Sequence, residues 1–149
     1  MQENALHGWR MADAGDLRMS GYPAKVKSFA WLPKGRHLAT SGADTVVCWP
    51  FHGPQGKPPL DLGVAIDSLV TAVAAHPRHE VVAAGYEDGT AILAQVGRRQ
   101  QYLIRPAGGG AVTALAWCPE GRHLAVGTED GFAGRLELAD WRAPPPDPE

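Results

Sequence analysis

The side chains best suited to chemistry in this chain are its six histidines. His76 and His79 stand two residues apart in Ala75-His76-Pro77-Arg78-His79, a spacing at which two imidazoles can share a metal ion. Zinc needs three or four ligands, and no cysteine or carboxylate cluster stands beside this pair. They are read as polar turn residues. His37 and His123 occupy matching places in Gly35-Arg36-His37-Leu38-Ala39 and Gly121-Arg122-His123-Leu124-Ala125, so they are expected to open strands rather than bind metal. His52 lies in a Pro/Gly loop, and His7 begins a strand. Gly108-Gly109-Gly110 has the composition of a phosphate loop. Such a loop leads into a helix N-terminus and usually carries a lysine. This one leads into Val112-Thr113-Ala114, a strand, and is expected to be a plain connection. Glu87-Asp88 and Glu129-Asp130 are paired carboxylates of the kind used for acid–base work. Each precedes a glycine at the same phase, which makes them turn residues first. No Gly-x-Ser-x-Gly elbow occurs, and Ser20, Ser28, Ser41 and Ser68 have no triad context. Arg98-Arg99 is a solvated basic spot. No catalytic residue, metal ligand or cofactor is expected.

Bulk properties narrow the field. The length of 149 residues allows one ordinary domain, and 44% hydrophobic with 20% charged residues is normal for a globular chain. A net charge of -2 lacks the basic face that neutralises phosphates, so no nucleic-acid partner is expected. Cys48 and Cys118 do not make a disulfide framework; both lie in apolar strand-like runs, as small hydrophobes. No basic-then-apolar leader opens the chain, and no apolar run reaches the ~20 residues of a membrane helix. A cytoplasmic location with no membrane partner is expected.

The elements that hold these residues come from a repeat. Residues 31–39 read Trp-Leu-Pro-Lys-Gly-Arg-His-Leu-Ala, and residues 117–125 read Trp-Cys-Pro-Glu-Gly-Arg-His-Leu-Ala. Seven of nine positions are identical, 86 residues apart, and a weaker copy opens at Ala75 between them, giving periods of 44 and 42. Periods of this size indicate a propeller, a solenoid or an array. Eighteen glycines and 13 prolines fit short strands with frequent turns. Two strands are expected within residues 4–20, as the second half of a unit. Full units follow at 25–62 and 70–105, and an incomplete one lacking its outer strand at 112–138. Asp88-Gly89 and Asp130-Gly131 predict hairpins, with type I′ turns for Asp-Gly. The proline-rich residues 143–149 are expected to be a disordered tail.

Four short strands every ~40–45 residues mark a propeller blade, and the wording of the repeat resembles the WD-repeat family. The inner strand matches at Val70-Thr71-Ala72-Val73 and Val112-Thr113-Ala114-Leu115-Ala116-Trp117. The family's Pro-x-Gly turn matches at Pro33-Lys34-Gly35 and Pro119-Glu120-Gly121, and the second strand at Leu38-Ala39-Thr40-Ser41-Gly42. Glu87-Asp88-Gly89-Thr90 and Thr45-Val46-Val47-Cys48-Trp49 match the third strand. The resemblance spans residues 4–140 and implies an all-β propeller segment of four-stranded antiparallel blades. Three blades are near-complete, and an N-terminal half blade precedes them. The naming Trp-Asp pair is missing: Pro50 follows Trp49, Arg10 follows Trp9, and Ala94 and Leu136 stand at the later third-strand positions. The family's Gly-His pair is replaced by Gly21-Tyr22 and Gly63-Val64, so its buried His–Ser/Thr–Asp–Trp network is expected to be incomplete everywhere. Asp44, Asp88 and Asp130, with Gly89 and Gly131, are expected to hold turns.

Propellers close with about 4 to 8 blades, so three and a half leave apolar faces open. The chain is therefore expected either to be the C-terminal part of a longer propeller or to pair with a second copy. The implied function is a non-catalytic scaffold for protein–protein contacts through loop surfaces. The partner surface is placed at the end carrying the connections between blades, with Tyr22, Tyr86 and Phe132 as anchors. The loop from Gly53 to Pro59 lies at the opposite end. Two rivals are a metal-handling or enzymatic propeller with a shared central site, and a structural blade set completing another subunit. The apolar Val26, Val70 and Val112 at the starts of the inner strands argue against the first.

Overall fold

A computed structural model describes residues 4–54, 56–138, 142 and 148. Trp141 and the expected disordered tail, apart from Pro148, lie outside the described residues. The described chain is built from thirteen strands in four antiparallel sheets. The first sheet pairs β1 (Leu6–Trp9) with β2 (Asp16–Met19). The second runs β3 (Phe29–Trp31), β4 (His37–Thr40), β5 (Val46–Pro50), β6 (Leu60–Leu62). The third runs β7 (Val70–Ala75), β8 (Val81–Tyr86), β9 (Ala91–Gln95), β10 (Gln101–Arg105). The fourth has β11 (Val112–Trp117), β12 (His123–Thr128) and β13 (Ala133–Glu137). Each sheet is a meander in sequence order, as short strands joined by tight turns require.

Burial tells which faces are covered. All six residues of β8 are buried, because the third sheet lies between two others. Val82, Ala84 and Tyr86 pack toward the second sheet with Leu32, Val46, Cys48 and Leu62. Val81 and Ala83 pack the other way, with Val112, Leu124 and Val126. The core is thus the space between sheets, where each buried aliphatic side chain contributes about 1.5–3 kcal/mol. On β12 burial alternates with exposure, since one face of the fourth sheet is uncovered among the described residues.

Polar bonds repeat at the blade spacing. The Thr71 hydroxyl donates to the Val112 carbonyl at 2.6 Å. Val73 N–H donates to Ser28 Oγ at 3.0 Å, and Trp117 Nε1 donates to the Ala74 carbonyl at 3.1 Å. Gly42 N–H reaches Val70 O at 3.0 Å, and Val70 N–H returns to Ala43 O at 2.8 Å. These bonds fix how far one blade is rotated on the next.

The Asp-Gly hairpins correct the expected turn type. Gly89 N–H bonds Tyr86 O while Tyr86 N–H bonds Thr90 O, and Thr128, Gly131 and Phe132 repeat the pattern. A type I′ turn needs two residues at positive φ. Here only Gly89 and Gly131 are positive, each at 90°. The loops are three residues long, a type I turn closed by a glycine bulge. Asp88 accepts from Thr90 N–H at 2.9 Å. Asp130 accepts from the Thr128 hydroxyl, and this bond and the Gly110 N–H hold its carboxyl below the usual range. Asp44 is exposed in the corresponding bend and, among the described residues, bonds no backbone N–H. That bend is held by Gly42 and Ala43 against Val70 instead.

Candidate interaction surface

The three aromatic residues singled out by sequence have different surroundings. Tyr22 is 8% exposed. Trp49 Nε1 donates to its hydroxyl at 2.6 Å, which stands 2.7 Å from Thr40 Oγ1. Thr40 in turn donates to the Val47 carbonyl at 2.9 Å. The only consistent order is Trp49 to Tyr22 to Thr40 to Val47. Part of the family's network is therefore present here, with tyrosine in place of its histidine and, among the described residues, no aspartate joined to it. Tyr86 is fully buried, and its hydroxyl has no hydrogen-bond partner among the described residues. Burial, and then the charges of Asp44 and Asp88, push that hydroxyl up to about 12. Neither tyrosine presents its ring to solvent. Phe132 does, at 45% exposure, with the Arg105 guanidinium 4.7 Å from the ring centre. Arg105 is pinned by bonds to the carbonyls of Gly89 and Gly108 at 2.7 and 2.9 Å, so the ring rests on a fixed cation.

The sequence reading did not select the aromatic cluster that the fold leaves most open. Trp9, Phe29, Trp31 and Phe51 surround a cavity of about 570 Å³ between the two-stranded sheet and the second sheet. Trp31 and Phe51 meet edge to face at 4.9 Å, yet Trp31 stays 54% exposed. Gly53 and Pro54 line the same cavity, so it opens at the end opposite to Phe132. Trp31 and Trp117 carry the same local wording in the repeat. Trp117, however, packs on His76 of the preceding blade at 4.8 Å and donates to Ala74. Trp31 lacks that cover because, among the described residues, the first sheet has no inner strands. The signal was available in the sequence: a half blade at 4–20 leaves the next inner strand uncovered on one side.

His76 is a structural link between blades. His76 Nδ1 accepts from the N–H groups of Arg78 and His79, both at 3.1 Å. Its Nε2 must then carry the proton that bonds Gly121 O at 3.1 Å. Burial lowers its pKa, and the neutral ring is the form these partners require. His37 is also lowered, first by burial; its Nδ1 lies 3.3 Å from the Glu80 carboxylate of the next blade, outside hydrogen-bonding geometry. Among the described residues, no three His, Cys, Asp or Glu side chains are placed to hold a metal ion. No described helix is long and apolar enough to cross a membrane.

Stacked antiparallel meanders with hydrogen bonds at the blade spacing define a β-propeller segment. The WD domain, G-beta repeat family matches residues 17–49, and the anaphase-promoting complex subunit 4 WD40 domain family matches residues 76–141. The crystal structure of the computationally designed Ika4 protein is similar at a TM-score of 0.73, covering 91% of this chain and 81% of that one. At 19% identity that likeness shows the fold alone. The chain is a WD-repeat β-propeller segment. Repeats of this family generally mediate protein–protein contacts.

Proposed function

We propose that the chain is a non-catalytic, cytoplasmic scaffold that binds protein, and that the groove beside Trp31 receives two strands from the partner. The contrast between Trp31 and Trp117 carries this reading. The same residue in the same repeat position is covered where a preceding blade supplies inner strands and is open where none is described. The covering strands at Trp117 offer a carbonyl at Ala74 and an imidazole at His76, so the partner is expected to present a similar edge.

In vitro the simplest source of such strands is a second copy. Light scattering over a dilution series is expected to show association of the wild-type chain. Trp31→Ala is expected to weaken that association by more than tenfold, as a buried tryptophan anchor does. A stable, dispersed wild-type monomer at every concentration would overturn the reading.

A second reading is favoured by the same contrast: a structural blade set that completes another subunit. The two part at Phe132. A scaffold uses the Phe132 loop surface for a further partner, whereas a structural blade set leaves it idle. Affinity capture with Phe132→Ala separates them, because only a scaffold loses a captured protein.

A further inference from the structure

We infer that the partner at the Trp31 groove is the fourth sheet of a second copy of this chain, so that two copies join head to tail, twice, in one closed ring. This pairing rests on the reading that the groove takes strands from a partner, and it identifies those strands as β11 and β12.

The covered junction between the third and fourth sheets shows what such a contact needs. Its small side comes from the third sheet and its bulky side from the fourth. Ala72 and Ala83 are buried against Val112 and Leu124, with Leu115 and Trp117 packed beside them. Trp117 Nε1 donates to the Ala74 carbonyl, and the Thr71 hydroxyl donates to the Val112 carbonyl. Val112 fills the space that a Cβ on Gly85 would take.

The chain carries both sides a second time, unjoined among the described residues. Forty-two residues after the small side stand Thr113, Ala114, Ala116, Ala125 and Gly127, the same five residue types in the same order. The first four are exposed. A Cβ on Gly127 would meet only Ala114 Cβ, at 3.5 Å, so its socket holds no valine. Eighty-six residues before the bulky side stand Val26, Phe29, Trp31 and Leu38 in place of Val112, Leu115, Trp117 and Leu124. Only Phe29 differs in type, and Phe29, Trp31 and Leu38 line the groove. A second copy therefore brings to each open face the residues that cover its counterpart within the chain.

Strand order and blade number agree with this pairing. β13 is an edge strand with no fourth strand beside it. Trp9 on β1 and Leu136 on β13 hold the same third-strand position of the repeat, so only one of these strands can lie beside β2. On closure β13 of one copy replaces β1 of the other and completes a shared blade. Each chain holds two complete four-stranded sheets, so two copies contribute four blades and share two, six in all. Propellers close with about 4 to 8 blades, a range that a third copy would exceed.

Light scattering of the wild-type chain over a dilution series is expected to show a dimer and nothing larger. Ala125→Glu places a carboxylate where the covered junction holds the fully buried Ala83, and it strikes both contacts of the ring. It is expected to weaken the dimer roughly a hundredfold or more. Ala125 is exposed in the single chain, so the unfolding midpoint of the monomer is expected to be unchanged. Should that midpoint fall, Gly127→Ala replaces it, since its Cβ makes an ordinary contact within its own sheet. The Trp31→Ala chain keeps its fourth sheet, and the Ala125→Glu chain keeps its groove. An equimolar mixture of the two is therefore expected to associate more tightly than either alone. If Trp31→Ala dissociates while Ala125→Glu and Gly127→Ala dimerise like wild type, the groove takes a different edge: this pairing is overturned and the groove reading stands. A mixture no tighter than its components also overturns the pairing. Trp31→Ala dimerising like wild type, or a wild-type monomer at every concentration, overturns both.

Discussion

Gly85→Ala is expected to destabilise the chain by about 3 kcal/mol, or roughly 10 °C in Tm. The glycine is on β8 and has no unusual backbone angle to explain it. Its reason is the next blade. A Cβ at Gly85 would lie 2.2 Å from Val112 Cγ1 and 2.4 Å from Val112 Cβ. The first clash could be relieved by rotating the valine. The second could not, because Val112 Cβ is fixed to its backbone, so β11 itself would have to move. That shift would stretch the Thr71 bond to Val112 O, which spans the same junction at 2.6 Å. Denaturant unfolding monitored by intrinsic fluorescence measures the loss. Adding Val112→Ala removes Cγ1 but not Cβ, so only partial recovery is expected. Complete recovery would mean that the backbone approach is not what the glycine serves.

The blades were legible because each is a local event. Strand, turn, strand and tight bend occupy residues close in sequence, and the repeat writes them three times, with Pro-x-Gly in two copies and Asp-Gly in two. What local wording could not carry is whatever depends on the neighbouring blade. Tyr22 and Tyr86 read as loop aromatics, yet one closes a hydrogen-bonded chain with Trp49 and Thr40 and the other fills the space between sheets. Trp31 and Trp117 are the same word, yet one is exposed and the other half-buried, decided by strands some 43 residues away. His37 and His123 share a position but face a neighbouring blade in one case and their own sheet in the other. The hairpin type was missed for a different reason. Asp-Gly permits positive φ at both residues, but the strand register leaves three loop residues and needs it only at the glycine. Phe132 was thus legible as an exposed loop aromatic, and the groove was not, because its walls come from two sheets.

His76→Ala is expected to cost about 2–4 kcal/mol and to flatten the acid limb of the stability profile. The ring binds the N–H groups of Arg78 and His79, the carbonyl of Gly121 and the face of Trp117. Its removal strands buried polar groups on two blades, and a water entering the space would recover only part of the loss. The bonds to Arg78, His79 and Gly121 need the neutral tautomer with the proton on Nε2, and protonating Nδ1 would set it against two donors. The sign follows. Burial holds the folded-state pKa below the ordinary value of 6.5, so the unfolded chain takes up the proton first as pH falls. Stability is therefore full above pH 6.5 and declines below it, until the folded ring is also protonated. His37 is shifted in the same direction and adds to the slope, although protonation would bring it an ion pair with Glu80. Unfolding free energies measured from pH 8 downward test this, with wild type and variant compared at each pH. The two curves are expected to converge toward acid. Parallel curves would show that the imidazole binds these blades as readily charged as neutral, which its three hydrogen bonds forbid.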